Sequence, residues 1–384
     1  MKRVCGLDVH KDSVFACILD ENGEKLLEKK FGVLTPELDV LRNHLIENQV
    51  GYVSMESTSI YWKPIWRVLC SDFELKLANP MFIKQLPGRK SDIQDARWIA
   101  EIEQKNLIKG SYVPDAIVEQ MRQYERRYRY LSKRIVHVEQ RIDMQLQQCN
   151  IRLSNYVSDI GSKSMRKVIR KLVQGERDPS VLCAQVHGRI INKHGKQTIM
   201  DALTGVVRPV DAFVLEQCME ELELLEKQQQ SNVKLLEELA NEHFAGEISL
   251  LCTIPGIQRL SAINILAELG GNMDAFPKAS SLIGWAGLKP RNEESNKKVK
   301  SRKIMHGNKY LRISLVECAW AASRMKTGFL GNKYRQLSKR MKSQKALMAI
   351  ARKLLVIIWN VLSKKEPFDH NRNFHTKTTK AILS

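Results

Sequence analysis

Four carboxylates and one serine stand out as residues whose surroundings could do chemistry. Asp8 lies in the middle of an apolar β-like run, Val4-Cys5-Gly6-Leu7-Asp8-Val9, and Glu56 follows a second such run, Tyr52–Met55. A carboxylate in an apolar strand is costly unless a cation or hydrogen-bond donors meet it. Asp92 and Asp95 are three residues apart and therefore share one face of a helix. If these elements adjoin, the four acids converge on one sheet edge. They would then suit two Mg²⁺ ions about 4 Å apart, an arrangement fitted to in-line phosphoryl transfer. Taken alone, Asp92 and Asp95 are better explained as a solvated helix start, where acids favour the dipole. His10 reads as a neighbour of Asp8 rather than a ligand.

Ser295 sits in a polar loop, Gly287-Leu288-Lys289-Pro290-Arg291-Asn292-Glu293-Glu294-Ser295-Asn296-Lys297-Lys298. A serine attacking a phosphodiester needs cations near its alkoxide and the transferring phosphoryl group. Lys297, Lys298, Lys300, Arg302 and Lys303 are close enough in sequence to supply them. Loop serines are common, so spacing alone does not separate a nucleophile from a surface residue, and Ser301 is the alternative. Two further basic groups could hold phosphates: Lys84, Arg89 and Lys90 ahead of the acids, and a helical row of Arg122, Arg126, Arg129 and Lys133. The row is expected on the outward face of its helix, where such residues are more often simply solvated.

The whole composition agrees with a polyanionic partner. The 384 residues carry 62 Lys and Arg against 42 Asp and Glu, a formal net charge of +20, which favours nucleic acid over a membrane surface. With 43% hydrophobic residues the chain can bury a core, which excludes wholesale disorder. No uninterrupted apolar run approaches the ~20 residues of a membrane helix. Asp8, His10, Lys11 and Asp12 stand where a signal peptide needs its apolar stretch. The eight cysteines are scattered without a C-x-x-C pair, as expected of buried thiols in a reducing cytoplasm.

The elements that must position these residues follow from periodicity. Residues 1–110 read as three antiparallel strands, then helix, strand, helix, strand and a last helix, Asp92–Gln104, the order of a ribonuclease-H-like α/β domain. Thr35 is expected as the cap of the first helix, with Pro36 at its first position. Heptad spacing from Ile117 to Cys149, and again over about 212–247, predicts an antiparallel coiled coil from residues 111–150 and 212–247. Between the two lies a small basic helical insert, 151–211. Residues 248–365 form a helical domain opened by Ile254-Pro255-Gly256-Ile257 and Ser261–Leu269, a helix–hairpin–helix-like element, and 366–384 a polar tail.

Four blocks carry a resemblance: Arg3–Asp20, Met55–Trp66, Pro87–Ala100, and Gly287–Asn308 followed by Lys309-Tyr310-Leu311-Arg312. In this order they resemble the DEDD-type transposases of bacterial insertion sequences, the IS110 family. Gly175–Pro179 and Ala349–Leu355 resemble one of its subgroups, and the likeness spans about residues 3–365. The resemblance implies a RuvC-like catalytic domain in which Asp8, Glu56, Asp92 and Asp95 bind Mg²⁺, and a C-terminal transposase domain with Ser295 as nucleophile. It implies recombination through a phosphoserine link, with a composite site formed by the acids of one subunit and the serine of another. It further implies donor and target DNA as substrates, guidance by a structured non-coding bridge RNA, and dimers that associate into a tetramer. Asn296 departs from the small residue that follows the serine in many relatives. The alternatives are a RuvC-like nuclease or junction resolvase using water, and a decayed transposase that only binds nucleic acid.

Overall fold

Val4–Val9 (β1), apart from Asp8, and Val14–Leu19 (β2) are apolar and almost entirely buried, as strands covered on both faces must be. They pair antiparallel, and Lys25–Phe31 (β3) adds to β2 as an edge strand whose exposed lysines discourage further pairing. Tyr52–Glu56 (β4) then lies parallel to β1 and Glu74–Ala78 (β5) parallel to β4. The order β3-β2-β1-β4-β5 is that of an RNase H-like sheet, as the element order predicts. The computed structural model describes residues 3–57, 59–80, 83, 93–289, 293–295, 298–301 and 306–369, with the backbone alone at 93–94, 293–295 and 298–301.

The chain divides into two units, Met1–Val113 and Pro114–Ser384. In the first, strand alternation sends successive side chains to opposite faces. Cys5, Leu7, Val9, Val53 and Met55 pack on one face with Leu38, Leu41 and Leu45 of Thr35–Glu47 (α1) and Ile65 and Leu69 of Trp62–Leu69 (α2). Val4, Cys17 and Leu19 pack on the other with Ala96 and Ala100 of Ile93–Gln104 (α3). Thr35 is not the cap of α1. Leu34 holds the extended cap conformation, and its N–H donates to the Glu37 carboxylate at 2.9 Å.

In the second unit, Ala116–Gln148 (α4) runs along a later helix, Pro209–Cys252. Between them lie Lys163–Val173 (α5), Pro179–Cys183 (α6), Gly188–His194 (α7) and Lys196–Ala202 (α8), so the long partner is α9. The two are antiparallel, because Tyr124 bonds Asn232, Arg134 meets Glu221 and Gln145 reaches Asp211. The insert shares one core with the distal ends of this pair, built on Val138, Ile142, Val168, Ile169, Leu172, Leu215 and Leu222. A boundary at 247/248 is not observed as a break. α9 continues to Cys252, with one non-helical residue at Phe244.

The C-terminal helices are Arg259–Leu269 (α10), Ala279–Trp285 (α11), Lys309–Ser323 (α12), Phe329–Ser338 (α13) and Ser343–Lys364 (α14). Between α11 and α12, Glu293–Ser295 (β6) and Lys298–Ser301 (β7) pair antiparallel, a hairpin not anticipated from sequence. Among the described residues, α14 alone is long and apolar enough to cross a membrane by length and composition. Half of that window is buried inside the fold, and Trp359 donates to the Phe276 carbonyl. Six cysteines are buried thiols as expected, whereas Cys70 and Cys252 are exposed.

Candidate active site

Asp8 and Glu56 come together through strand register. Leu7 pairs with Met55 in the parallel β1–β4 ladder, so the next residue on each strand is an acid. Alternation puts both on the face covered by α3, together with Gly6 and Ser54, while Leu7 and Met55 enter the opposite core. Asp8 is only 6% exposed and Asp95 8%, whereas Glu56 is half-buried. His10 bonds Asp8 through Nε2 at 2.9 Å from Oδ2, and its ring stands edge-on to Phe15.

The direction of α3 decides which of its ends meets the acids. Gln104, its last residue, donates to the Asp20 carbonyl beyond the end of β2, which is the amino end of β1. Asp95, in the first turn, therefore lies toward the carboxyl end of β1, where Asp8 is. Two contacts hold the helix there. Gly6 gives it a flat floor: a Cβ at that position would stand 2.1 Å from the Ala96 carbonyl oxygen and 2.4 Å from the Ala100 nitrogen. Glu103, buried, accepts from Ser54 Oγ at 2.8 Å and from Lys76 Nζ at 2.6 Å, tying α3 to β4 and β5.

The acids are an all-oxygen donor set, which suits a hard divalent cation such as Mg²⁺. Among the described residues no three His, Cys, Asp or Glu side chains already form a metal-binding group. Asp92, the fourth acid, lies outside the described residues, as do Lys84, Arg89 and Lys90. Ser295 ends β6, where its backbone pairs with Lys298 across the hairpin turn. Lys298, Lys300 and the alternative Ser301 lie on β7. Lys297, Arg302 and Lys303 lie outside the described residues.

The expected outward row of arginines faces inward instead. Arg126 holds both oxygens of the fully buried Glu268 at 3.1 Å, and Arg122 donates to the Glu268 carbonyl at 2.6 Å. Arg129 pairs with buried Glu125 and donates to Ser314 Oγ at 2.6 Å and to Glu317. Burial pushes the Glu125 carboxyl above its ordinary value, against the lowering effect of Arg129. Lys133, one turn on, is exposed. The reason is that α4 is covered on a second side by α10 and α12, which heptad spacing with α9 does not reveal.

Two profiles of one transposase family match this chain in order. The profile described as a DEDD transposase of IS110 type covers residues 5–151, and that of the transposase IS116/IS110/IS902 family covers residues 248–335. The chain belongs to the IS110 transposase family. The first matched segment contains Asp8, Glu56 and Asp95 with the strands and helix that position them, and the second contains Ser295 and Glu268. A pilin gene-inverting protein of Moraxella bovis is 32% identical over 124 residues, 32% of this chain and 38% of that protein. The transposase for insertion sequence element IS1111A of Coxiella burnetii is 32% identical over 120 residues, 30% of this chain and 33% of that protein. The matched stretches thus span less than two fifths of these relatives. Among solved structures, T. thermophilus RuvC in complex with a Holliday junction substrate aligns with 29% of this chain and 100% of its own, at 11% identity and a TM-score of 0.23.

Proposed function

We propose that this IS110-family protein is a DNA transposase or recombinase that cuts and rejoins DNA through a phosphoserine intermediate. The observation that carries the proposal is the position of Asp8 and Glu56, each the residue after the Leu7–Met55 register pair of β1 and β4, on the face covered by the helix that bears Asp95. Together with Asp92 these carboxylates would hold Mg²⁺, in a two-ion site. A bound cation would offset charge on the scissile phosphate and on its departing oxygen. His10 would keep the Asp8 carboxylate oriented through its 2.9 Å contact.

Ser295 would attack phosphorus, forming an Oγ–P bond as a sugar oxygen leaves, and losing its hydroxyl proton to a base. The ester so formed keeps the phosphodiester bond energy available for rejoining, and attack by a sugar hydroxyl of another strand would release the serine. Lys297, Lys298, Lys300, Arg302 and Lys303 surround Ser295 in sequence and would hold phosphate backbone. Gene inversion and transposition, which the relatives' names state of those proteins, are both rearrangements of DNA. Family membership supports the remaining parts of the reading. These are donor and target DNA as substrates, a structured non-coding bridge RNA as guide, and a dimer that doubles to a tetramer. The acids of one subunit would then work with the serine of another.

The test is a denaturing gel of protein incubated with element-end DNA and Mg²⁺. A protein–DNA adduct that survives denaturation is expected, absent in Ser295→Ala and absent when the metal is chelated. Cleavage at an unchanged rate by Ser295→Ala would make water the nucleophile, as in a plain nuclease. Binding without cleavage by the unaltered protein would leave only a nucleic-acid-binding role.

A further inference from the structure

Glu268 has no part in the acid set, yet it is fully buried and its carboxylate receives three hydrogen bonds from two other elements. Its Oε1 accepts from Arg126, and its Oε2 from Arg126 and from Asn308 Nδ2 at 2.6 Å, while Arg122 forms an ion pair with Oε2 at 3.3 Å and donates to the Glu268 carbonyl. A buried carboxylate is tolerable only when its lone pairs are filled in this way. The two arginines belong to α4, and Asn308 caps α12, accepting from the Tyr310 and Leu311 amides through its Oδ1. Aromatic rings complete the hub: the Arg126 guanidinium lies 4.4 Å from the centre of Tyr310, and that of Arg122 5.9 Å from the centre of Trp285.

This hub sits at the neck of the segment that carries Ser295. The chain leaves α11 at Trp285, makes the β6–β7 hairpin and returns at Asn308, whose amide donates to the Trp285 carbonyl at 3.0 Å. The two strands of the neck touch at glycines. A Cβ on Gly307 would stand 2.2 Å from the Gly287 nitrogen and 2.5 Å from its Cα. Gly287 itself has a φ of +70°, a conformation that favours glycine. The neck is close-packed at its base, and one side chain on its returning side, Asn308, links it to Glu268.

We propose that Glu268 is a positioning residue for the serine-bearing hairpin, clamping Asn308 on one side and Arg122 and Arg126 on the other. The base of the segment that carries Ser295 is thereby tied to α4. The proposal rests on the reading of Ser295 as the nucleophile for its catalytic consequence, but not for the clamp itself.

The test uses the full-length protein and substitutions that keep the helix cap while breaking the clamp. Asn308→Asp and Asn308→Ser both retain an oxygen for the Tyr310 and Leu311 amides. The ionised aspartate cannot donate to Glu268, and the serine hydroxyl stops one bond short of the amide nitrogen that does. Each is expected to speed hydrogen exchange in the peptide spanning residues 306–311 about tenfold, the factor associated with a hydrogen bond to a charged group. Each should also cut the yield of the Ser295-dependent adduct about tenfold, with DNA affinity unchanged. Combining Asn308→Asp with Glu268→Gln reverses donor and acceptor at that contact, at the expense of the Arg126 bond to Oε2, and should recover both readouts in part, which a merely structural loss would not do. Unchanged exchange in both single variants, or a double variant no better than Asn308→Asp, would overturn the clamp. If the unaltered protein forms no Ser295-dependent adduct, the nucleophile reading fails by itself, and the exchange measurements still decide the clamp.

Discussion

The contact between Gly6 and α3 allows the acid site to be disturbed without touching an acid. Gly6→Ala adds one methyl group that would stand 2.1 Å from the Ala96 carbonyl oxygen, where ordinary contact begins at 3.4 Å. The obstacle is backbone on both sides, so no side-chain rotation relieves it. Either α3 or β1 must move by roughly 1.3 Å, the difference between those two distances. Overpacking of this kind costs about 1–3 kcal/mol, and α3 is held elsewhere by Glu103 and Gln104, so the unit is expected to stay folded with a lowered melting temperature. The site should suffer far more. Asp95 is the residue beside Ala96, and a displacement of about 1 Å in a catalytic group can cost on the order of a hundredfold in rate. The assay is metal-dependent DNA cleavage alongside thermal unfolding, with Ala96→Gly as a control that leaves the floor open. Gly6→Ala with unaltered cleavage would refute the argument that this glycine sets the spacing between α3 and the acid-bearing strands. A rate that falls only in proportion to the unfolded fraction would refute it equally.

Other substitutions test the inward arginines and the insert. Arg129→Met leaves Glu125 buried beside its lost partner and is expected to destabilise the second unit by about 3–5 kcal/mol in chemical denaturation at neutral pH. The same variant should keep the salt dependence of DNA binding, whereas losing a phosphate contact would lower the log–log slope by about 0.9. Because burial holds the Glu125 carboxyl above its ordinary value of 4.5, its ionisation weighs on the folded state as pH rises through that value. The destabilisation by Arg129→Met should therefore shrink in acid, and a pH-independent loss would contradict the assignment. Asp211 is held down to about 2 by hydrogen bonds from the Arg208 side chain and backbone, from an ordinary 3.8. Its contribution is complete above 3.8 and lost as pH falls toward 2, so Asp211→Asn should flatten the acid limb of the melting curve in that window. Parallel limbs for the two proteins would show that the pair adds nothing.

Much of the first unit was legible because it depends on local patterns. The apolar runs Val4–Val9 and Val14–Leu19, and the helical periodicity of Thr35–Glu47 and Ile93–Gln104, specify elements within a residue or two. Their order restricts the sheet to few topologies, and an acid inside an apolar strand is visible wherever that strand pairs. The hairpin at Glu293–Ser301 was not legible, since its strands are three and four residues long and mostly polar. The row Arg122, Arg126 and Arg129 was legible as a row but not as to its side.

From sequence alone came the candidate chemistry-bearing residues, most of the elements that carry them and the positive balance that points to nucleic acid. These are properties of residue type and near neighbours. Tertiary structure decided which charges are available to a partner. Arg126 and Glu268 are 142 residues apart, and Arg129 and Ser314 are 185 apart, so no spacing rule joins them. Whether a guanidinium meets a phosphate or a buried carboxylate depends on which distant helix covers it. Burial is a property of the folded whole, and the free energy of a charge is governed by burial and partner more than by the charge itself.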